Sequence, residues 1–268
     1  MGLQGFFARH PVFTHQEFVA FSSAEEPRSV KTLEALLAYH CRTGRIVRVR
    51  RGLFIVVPPG VKPNACPVDP YLLAAKMSDD AVLAYHTALE FHGKAYSVTE
   101  QFQYLTNRAS RPLVFRSQRF RGVLFPKKLR DKKEDLYGVK ESERAGLIVR
   151  VTSFERTLVD VLDRPDLGGS WEEIWRSLES VEFFELEQVI KYAILLGNAT
   201  TVAKVGFFLE QHRDTLMAND SHLERLRECR PNKPHYMERN GKRAGRFMAH
   251  WNLVVPENVS ERSWEEIL

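Results

Sequence analysis

The chain has 268 residues, 44% of them hydrophobic, and a net charge of +5, which is enough material for one large domain or two. It contains no apolar run near the ~20 residues of a membrane span, and its start lacks a basic segment followed by an apolar one. Neither a membrane span nor secretion is therefore expected. The cysteines Cys41, Cys66 and Cys229 are odd in number and far apart, which indicates the reducing cytoplasm rather than a disulfide framework.

The first predicted helix begins at a capping box. Thr14 and Glu17 can bond reciprocally to each other's backbone amides, and Phe13 and Phe18 occupy the positions of the matching hydrophobic staple. This pattern predicts a short helix from about Thr14 to Phe21, preceded by an apolar turn.

Residues 28–57 predict an amphipathic helix followed at once by a β-hairpin. At about 100° per residue, one helix side is apolar. That side carries Val30, Leu33, Leu36, Leu37, His40 and Cys41. The opposite side is basic and small, with Arg28, Lys31, Ala35, Ala38, Tyr39 and Arg42. The short helix at Thr14–Phe21 and the apolar turn before it, which contains Leu3, Phe6 and Phe7, complete a three-helix unit ahead of the hairpin. This order is the layout of a winged helix, which predicts DNA binding.

In the hairpin, Val47 and Val49 face one side and Arg48 the other, and Gly52 suits a left-handed turn position. Six lysine and arginine residues and no acidic residue lie between Ala35 and Asp69. The predicted DNA-binding residues are Arg28, Ser29, Lys31, Thr32 and Arg42 on the helix and Arg48, Arg50 and Arg51 on the wing. The alternative is a packing module with a solvated basic face.

Prolines and glycine after the hairpin predict a linker at 61–68 between a winged-helix domain (1–60) and a larger domain (69–268). Asp69-Pro70 marks a helix start, and strand patterns follow as far as Val151. Beyond them the chain becomes helical, with S/T-x-x-E helix starts at 152–155, 170–173 and 221–224, and ends in a strand-like alternation. The predicted fold class is α+β, an N-terminal winged helix-turn-helix followed by a larger mixed α/β domain.

A basic tract spans 107–133, with ten basic residues against Asp131 alone. Phenylalanines interleave with the cations, as in a surface for single-stranded nucleic acid or an acidic toxin. The alternative is a hairpin whose phenylalanines face the core. The candidate patch residues are Arg108, Arg111, Arg116, Arg119, Arg121, Lys127 and Lys128.

The sequence carries no P-loop, GxGxxG, GxSxG, Glu-x-Lys or Asp-x-Asp. We therefore expect no catalytic residue, no metal and no cofactor, and hence no enzyme. Asp160, Asp163 and Asp166 recur every three residues and form the basis of an alternative, a degenerate metal-dependent nuclease.

The order of motifs resembles the AbiEi family of antitoxins from type IV toxin–antitoxin (abortive infection) systems. The motifs that carry this resemblance are Arg51-Gly52-Leu53-Phe54, the AYHTALEFHG stretch at 84–93 and VTSFERTLVDVL at 151–162. Arg164-Pro165, Gly168-Gly169 and a helix carrying Lys204 and Gly206 follow them. The resemblance implies a transcriptional repressor that binds inverted repeats of double-stranded DNA in its own promoter. It also implies that the larger domain counters a nucleotidyltransferase-like toxin, with direct contact left open. The alternative is an interaction module that neutralises the toxin by binding it, without binding DNA.

Overall fold

The computed structural model describes residues 2–25, 29–109, 111–238 and 245–264, and the fold is α+β. The N-terminal unit contains three helices and a three-stranded antiparallel sheet in the order β1-β3-β2. Its elements are α1 (Leu3–Arg9), β1 (Val12–Thr14), α2 (His15–Glu25), α3 (Val30–Arg42), β2 (Ile46–Arg50) and β3 (Leu53–Val56).

Both faces of this small sheet are covered, because alternate side chains of a strand point to opposite faces. Phe13, Ile46 and Phe54 pack beneath the three helices. On the other face, Leu53 and Ile55 join a hydrophobic cluster built mainly from residues of the larger part of the chain. That cluster crosses the predicted domain boundary, so the N-terminal unit packs directly against the rest of the molecule.

The larger part of the chain, here called the body, is organised around a six-stranded mixed sheet in the order β6-β7-β5-β4-β9-β8. Its elements in chain order are α4 (Pro70–Ala75), β4 (Val82–Leu83), α5 (His86–Phe91), β5 (Gln101–Thr106), β6 (Leu113–Phe115), β7 (Gln118–Leu124), α6 (Lys127–Asp131), β8 (Val139–Arg144), β9 (Leu147–Thr152), α7 (Phe154–Asp163), α8 (Trp171–Glu179), α9 (Leu186–Leu196), α10 (Ala199–Gln211), α11 (Asp220–Arg227), β10 (His235–Tyr236), β11 (Gly245–Met248), β12 (Leu253–Pro256) and α12 (Glu257–Ser260).

A second small sheet, β10-β12-β11, closes the body. The returning strand predicted near the C-terminus corresponds to two strands, β11 and β12, which are separated by a 3₁₀ turn at Ala249–Trp251. Further 3₁₀ turns lie at Pro63–Ala65 and Pro165–Leu167.

Two helix starts in the body agree with the sequence signatures. The Asp69 carboxylate accepts from the amides of Tyr71 and Leu72 at the start of α4, and Ser170 Oγ accepts from the amide of Glu173 at the start of α8. These side chains satisfy backbone donors that lack helical partners.

Two other starts differ by a residue or more. Helix α7 is capped by Ser153, because Thr152 is the last residue of β9. Helix α11 is capped by Asn219, whose capping box uses the His222 side chain in place of a glutamate. Several neighbouring polar residues can cap a helix, and the tertiary course of the chain selects among them.

Candidate nucleic-acid interface

Ser29 is the N-cap of helix α3, and its Oγ accepts from the backbone N–H of Thr32 at 3.2 Å. The two hydroxyl oxygens also lie 2.9 Å apart. Both predicted DNA-binding hydroxyls therefore take part in the N-cap. Arg28, predicted beside them, lies outside the described residues.

The exposed face of α3 carries Lys31, Ala35, Ala38 and Arg42. Their spacing places them in one stripe along the helix axis. This face agrees with the predicted one, and its two alanines leave room for a close approach. Val30 differs from the prediction, because it begins the helix and is 61% exposed, not buried with the apolar side.

An open groove of about 980 Å³ separates α3 from the β2–β3 hairpin. Its polar and charged lining consists of His15, Glu34, Arg42, Arg48 and Arg51, together with Cys41. By helical spacing Glu34 lies at the boundary between the apolar and basic sides of α3. Neither Glu34 nor His15 is among the residues predicted from the sequence to bind DNA.

The capping box predicted at α2 is formed and fixes one wall of this groove. Glu17 accepts from the amide of Thr14 at 2.8 Å, and Thr14 Oγ1 accepts from the amide of Glu17 at 3.2 Å. The next amide, that of His15, donates to the carbonyl oxygen of Gly52 at 2.8 Å. The start of α2 is thus bonded to the hairpin turn, where Gly52 has the expected positive φ of 79°.

The three arginines of the β2–β3 hairpin, which the sequence predicted to lie on a wing, have different environments. Arg48 and Arg51 are exposed and line the groove. Arg50 instead donates from its guanidinium to the carbonyl oxygen of Met77 in the body. A register shift between Arg48 and Arg50 in β2 accompanies this difference.

Polar contacts as well as the shared hydrophobic cluster hold the N-terminal unit to the body. The ammonium group of Lys76, at the end of α4, forms an ion pair with Glu17. Burial raises the pKa of Glu17, but the hydrogen bonds and charge of Lys76 and Thr14 prevail and lower it overall. The same α2 start therefore contacts both the wing and the body.

The basic tract forms an edge of the large sheet, and its phenylalanines do not make an exposed stacking platform. Phe120 and Phe125 are buried in the body core, and Phe115 is partly buried. This arrangement matches the alternative in which the tract is a hairpin with its phenylalanines toward the core.

The seven candidate cations of the tract fall into two groups according to whether their side chains bind other parts of the chain. Arg116 donates to the carbonyl oxygens of Cys66 and Pro63, and Lys128 donates to that of Gly197. The other five project from the surface as exposed side chains. They are Arg108, Arg111, Arg119, Arg121 and Lys127.

The three aspartates of the nuclease alternative have separate sets of partners. Asp160 is buried and binds Arg156 and the hydroxyl of Tyr192, which donates at 2.6 Å. Asp163 accepts from Asn198 and Thr201, and Asp166 forms an ion pair with Arg164. Over the described ranges, no group of three His, Cys, Asp or Glu side chains is placed to hold a metal ion.

A buried polar cluster in the body had no signal in the sequence. His86 Nε2 lies 2.9 Å from Glu173 Oε1, and His86 Nδ1 lies 3.3 Å from Glu90 Oε1. Burial lowers the pKa of His86, but the two carboxylates prevail and raise it. The preceding residue, Tyr85, has a positive φ of 57°, a strained backbone conformation for a bulky side chain. Glu173 is 87 residues from His86 in sequence, so spacing could not reveal the pair.

Comparison with known proteins shows a structure with a similar fold. The chain is similar to the RV2827C protein from Mycobacterium tuberculosis, known from a crystal structure, with a TM-score of 0.63 and 19% sequence identity over 97% of this chain and 92% of that chain. No model of a protein family and no curated protein matches the chain. Within the described residues, no helix has the length and apolar character needed to cross a membrane.

Proposed function

We propose that the chain is a DNA-binding transcriptional autorepressor and antitoxin of a type IV toxin–antitoxin operon, acting in the cytoplasm. In this proposal the N-terminal unit is a winged helix, α3 is its recognition helix and the β2–β3 hairpin is its wing. The assignment to the AbiEi family rests on the order of motifs described above. The chain acts by binding, without catalysis and without a cofactor.

One observation carries the DNA-binding part of the proposal. Lys31, Arg42, Arg48 and Arg51 are all exposed on α3 and the adjoining hairpin, and none of them forms an ion pair with another described residue. Arg42 is positioned over the ring of Tyr39, with 5.9 Å between its guanidinium carbon and the ring centroid. Arg48 also donates from Nε to the carbonyl oxygen of Arg50 at 3.4 Å. Cations that have no carboxylate partner in the protein lose little when they bind phosphates, and phosphate contacts supply most of the affinity for duplex DNA.

The toxin-binding part of the proposal concerns the body. Arg108, Arg111, Arg119, Arg121 and Lys127 are the exposed candidate cations whose side chains bind no other described residue, and they form a surface that fits an acidic partner. Because Arg116 and Lys128 already bind carbonyl groups of this chain, we place the toxin contact on these five cations and not on the whole tract.

The experiment is a footprint on the DNA upstream of the operon, followed by affinity measurements on the protected duplex. We expect the variant Lys31→Ala/Arg42→Ala to bind at least about tenfold more weakly than wild type. The control variant Lys132→Ala/Lys140→Ala removes two exposed lysines from the body, and we expect it to bind within about twofold of wild type.

Equal losses in both variants would show that only net charge matters and would contradict the assignment of α3. Protection from the toxin by a wild-type protein that binds no DNA would instead favour the interaction module.

A further inference from the structure

Glu34 is the one acidic side chain among the described residues that line the groove between α3 and the wing. It is exposed, and it shares this lining with Arg42, Arg48 and Arg51. Within the described part of the chain it forms no ion pair with these arginines. No direct salt bridge therefore fixes the Glu34 carboxylate to these arginines in the free protein.

A carboxylate in this position opposes binding to the DNA backbone. The groove otherwise presents arginines to phosphates, and a negative charge among them repels the same phosphates. A neutral residue at position 34 would therefore give tighter sequence-independent binding. The carboxylate instead suits a partner that only donates hydrogen bonds.

The floor of the major groove presents such donors. An ionised carboxylate can only accept hydrogen bonds, and the amino group of cytosine at N4 is the base donor that Asp and Glu bind there. Position 34 lies one helical turn from Ala38 and next to Ala35, the two small residues that allow α3 to approach the bases.

We infer that Glu34 determines sequence specificity, accepting a hydrogen bond from a cytosine amino group in the operator while the surrounding arginines bind phosphates. This inference rests on the proposed DNA-binding function. It adds the base that is read and the residue that reads it.

The test is selection of bound sequences from a randomised duplex library by the full-length wild type, Glu34→Gln, Glu34→Ala and the control Glu228→Gln. Glu228 is an exposed glutamate at the end of α11 in the body, so its substitution makes the same change in charge away from the groove. A glutamine side chain pairs with adenine. We therefore expect Glu34→Gln to change one position of the selected sequence from cytosine to adenine, by about fivefold or more in relative preference.

Glu34→Ala should lose the preference at that position and bind non-operator DNA more tightly, whereas Glu228→Gln should select the wild-type sequence. If wild type and both Glu34 variants select the same sequence with the same discrimination, the role of Glu34 is refuted while DNA binding stands. If wild type selects nothing and binds no duplex, the proposed function itself fails.

Discussion

Under the proposed function, the three arginines of the β2–β3 hairpin should make unequal contributions to DNA binding, because their environments differ. Arg48 and Arg51 are exposed in the groove, whereas Arg50 is bonded to the carbonyl oxygen of Met77. We therefore compare the variant Arg48→Ala/Arg51→Ala with Arg50→Ala. The first removes two candidate phosphate contacts, and the second removes a contact between the N-terminal unit and the body.

The expected magnitude follows from the number of available cations. If Lys31, Arg42, Arg48 and Arg51 each neutralise one phosphate, the slope of log K against log salt concentration is about −3.6 for wild type and about −1.8 for the double variant. Raising the salt from ~50 to ~200 mM should then weaken wild-type binding about 150-fold and binding by the double variant only about 12-fold. Arg50→Ala should keep the wild-type slope and lower the free energy of unfolding by on the order of 1 kcal/mol.

The assay is fluorescence anisotropy of a labelled duplex at several salt concentrations, with urea unfolding of each variant as the stability control. An unchanged slope in Arg48→Ala/Arg51→Ala would refute the wing assignment. A slope reduced by about one unit in Arg50→Ala would show that Arg50 leaves Met77 to bind a phosphate.

Three further variants test packing and pH dependence through the free energy of unfolding. In Gly206→Ala, the added methyl group would overlap the ring of Trp251. The destabilisation from this overlap should exceed the ~1 kcal/mol that alanine gains over glycine in helix propensity. We expect a net loss of about 1 to 3 kcal/mol in urea unfolding, and an unchanged midpoint would contradict this packing. His40 is 5% exposed with no hydrogen-bond partner in the described structure, and burial lowers its pKa below 6.5. The contribution of neutral His40 to the free energy of unfolding is therefore complete above pH 6.5 and is lost as the pH falls toward the folded pKa. His40→Leu should remove this pH dependence between about pH 5 and 7.5. If the free energy of unfolding declines in parallel in wild type and variant, the role of His40 is refuted. The folded pKa of Glu17 is lowered, since Lys76 outweighs burial, so its stabilising effect is present above pH 4.5 and lost below it. Glu17→Gln should lower the unfolding midpoint at pH 7 and reduce the loss of stability as the pH falls below 4.5. If wild type and variant lose the same stability on acidification, the Glu17–Lys76 pair is not a source of the pH dependence.

Local patterns were sufficient to predict much of the N-terminal unit. The capping box at Thr14 and the alternation of Val47 and Val49 depend on neighbours in sequence, and the structure confirms both. Strand β1 was not predicted, because its three residues are too few to show a period and its pairing with β3 is a long-range contact. Strand β3 is a continuous apolar run, Leu53–Val56, and the structure buries it on both faces. The sequence did not identify the body as the partner of its second face.

In the candidate site, too, the features set by local sequence were predictable, and those set by long-range contacts were not. Helical periodicity predicted the exposed stripe of α3, because exposure on an amphipathic helix follows from spacing alone. The contact from Arg50 to Met77 depends on a carbonyl group 27 residues away that belongs to another element. No local pattern distinguishes Arg50 from Arg48 or Arg51, so the sequence assigned all three to DNA.

Under the proposed function, in which the β2–β3 hairpin is the wing, its contacts with the body bear on how one chain could both repress transcription and neutralise a toxin. Leu53 and Ile55 on β3 pack into the body cluster, Arg50 binds Met77, and Lys76 binds Glu17 at the start of α2. The wing and the start of α2 therefore depend on the end of α4 for their position. A partner that displaces this segment of the body would move Arg48 and Arg51 relative to α3, and would change DNA affinity without touching DNA. We therefore expect Arg50→Ala to weaken any effect of toxin binding on DNA affinity while leaving toxin binding intact.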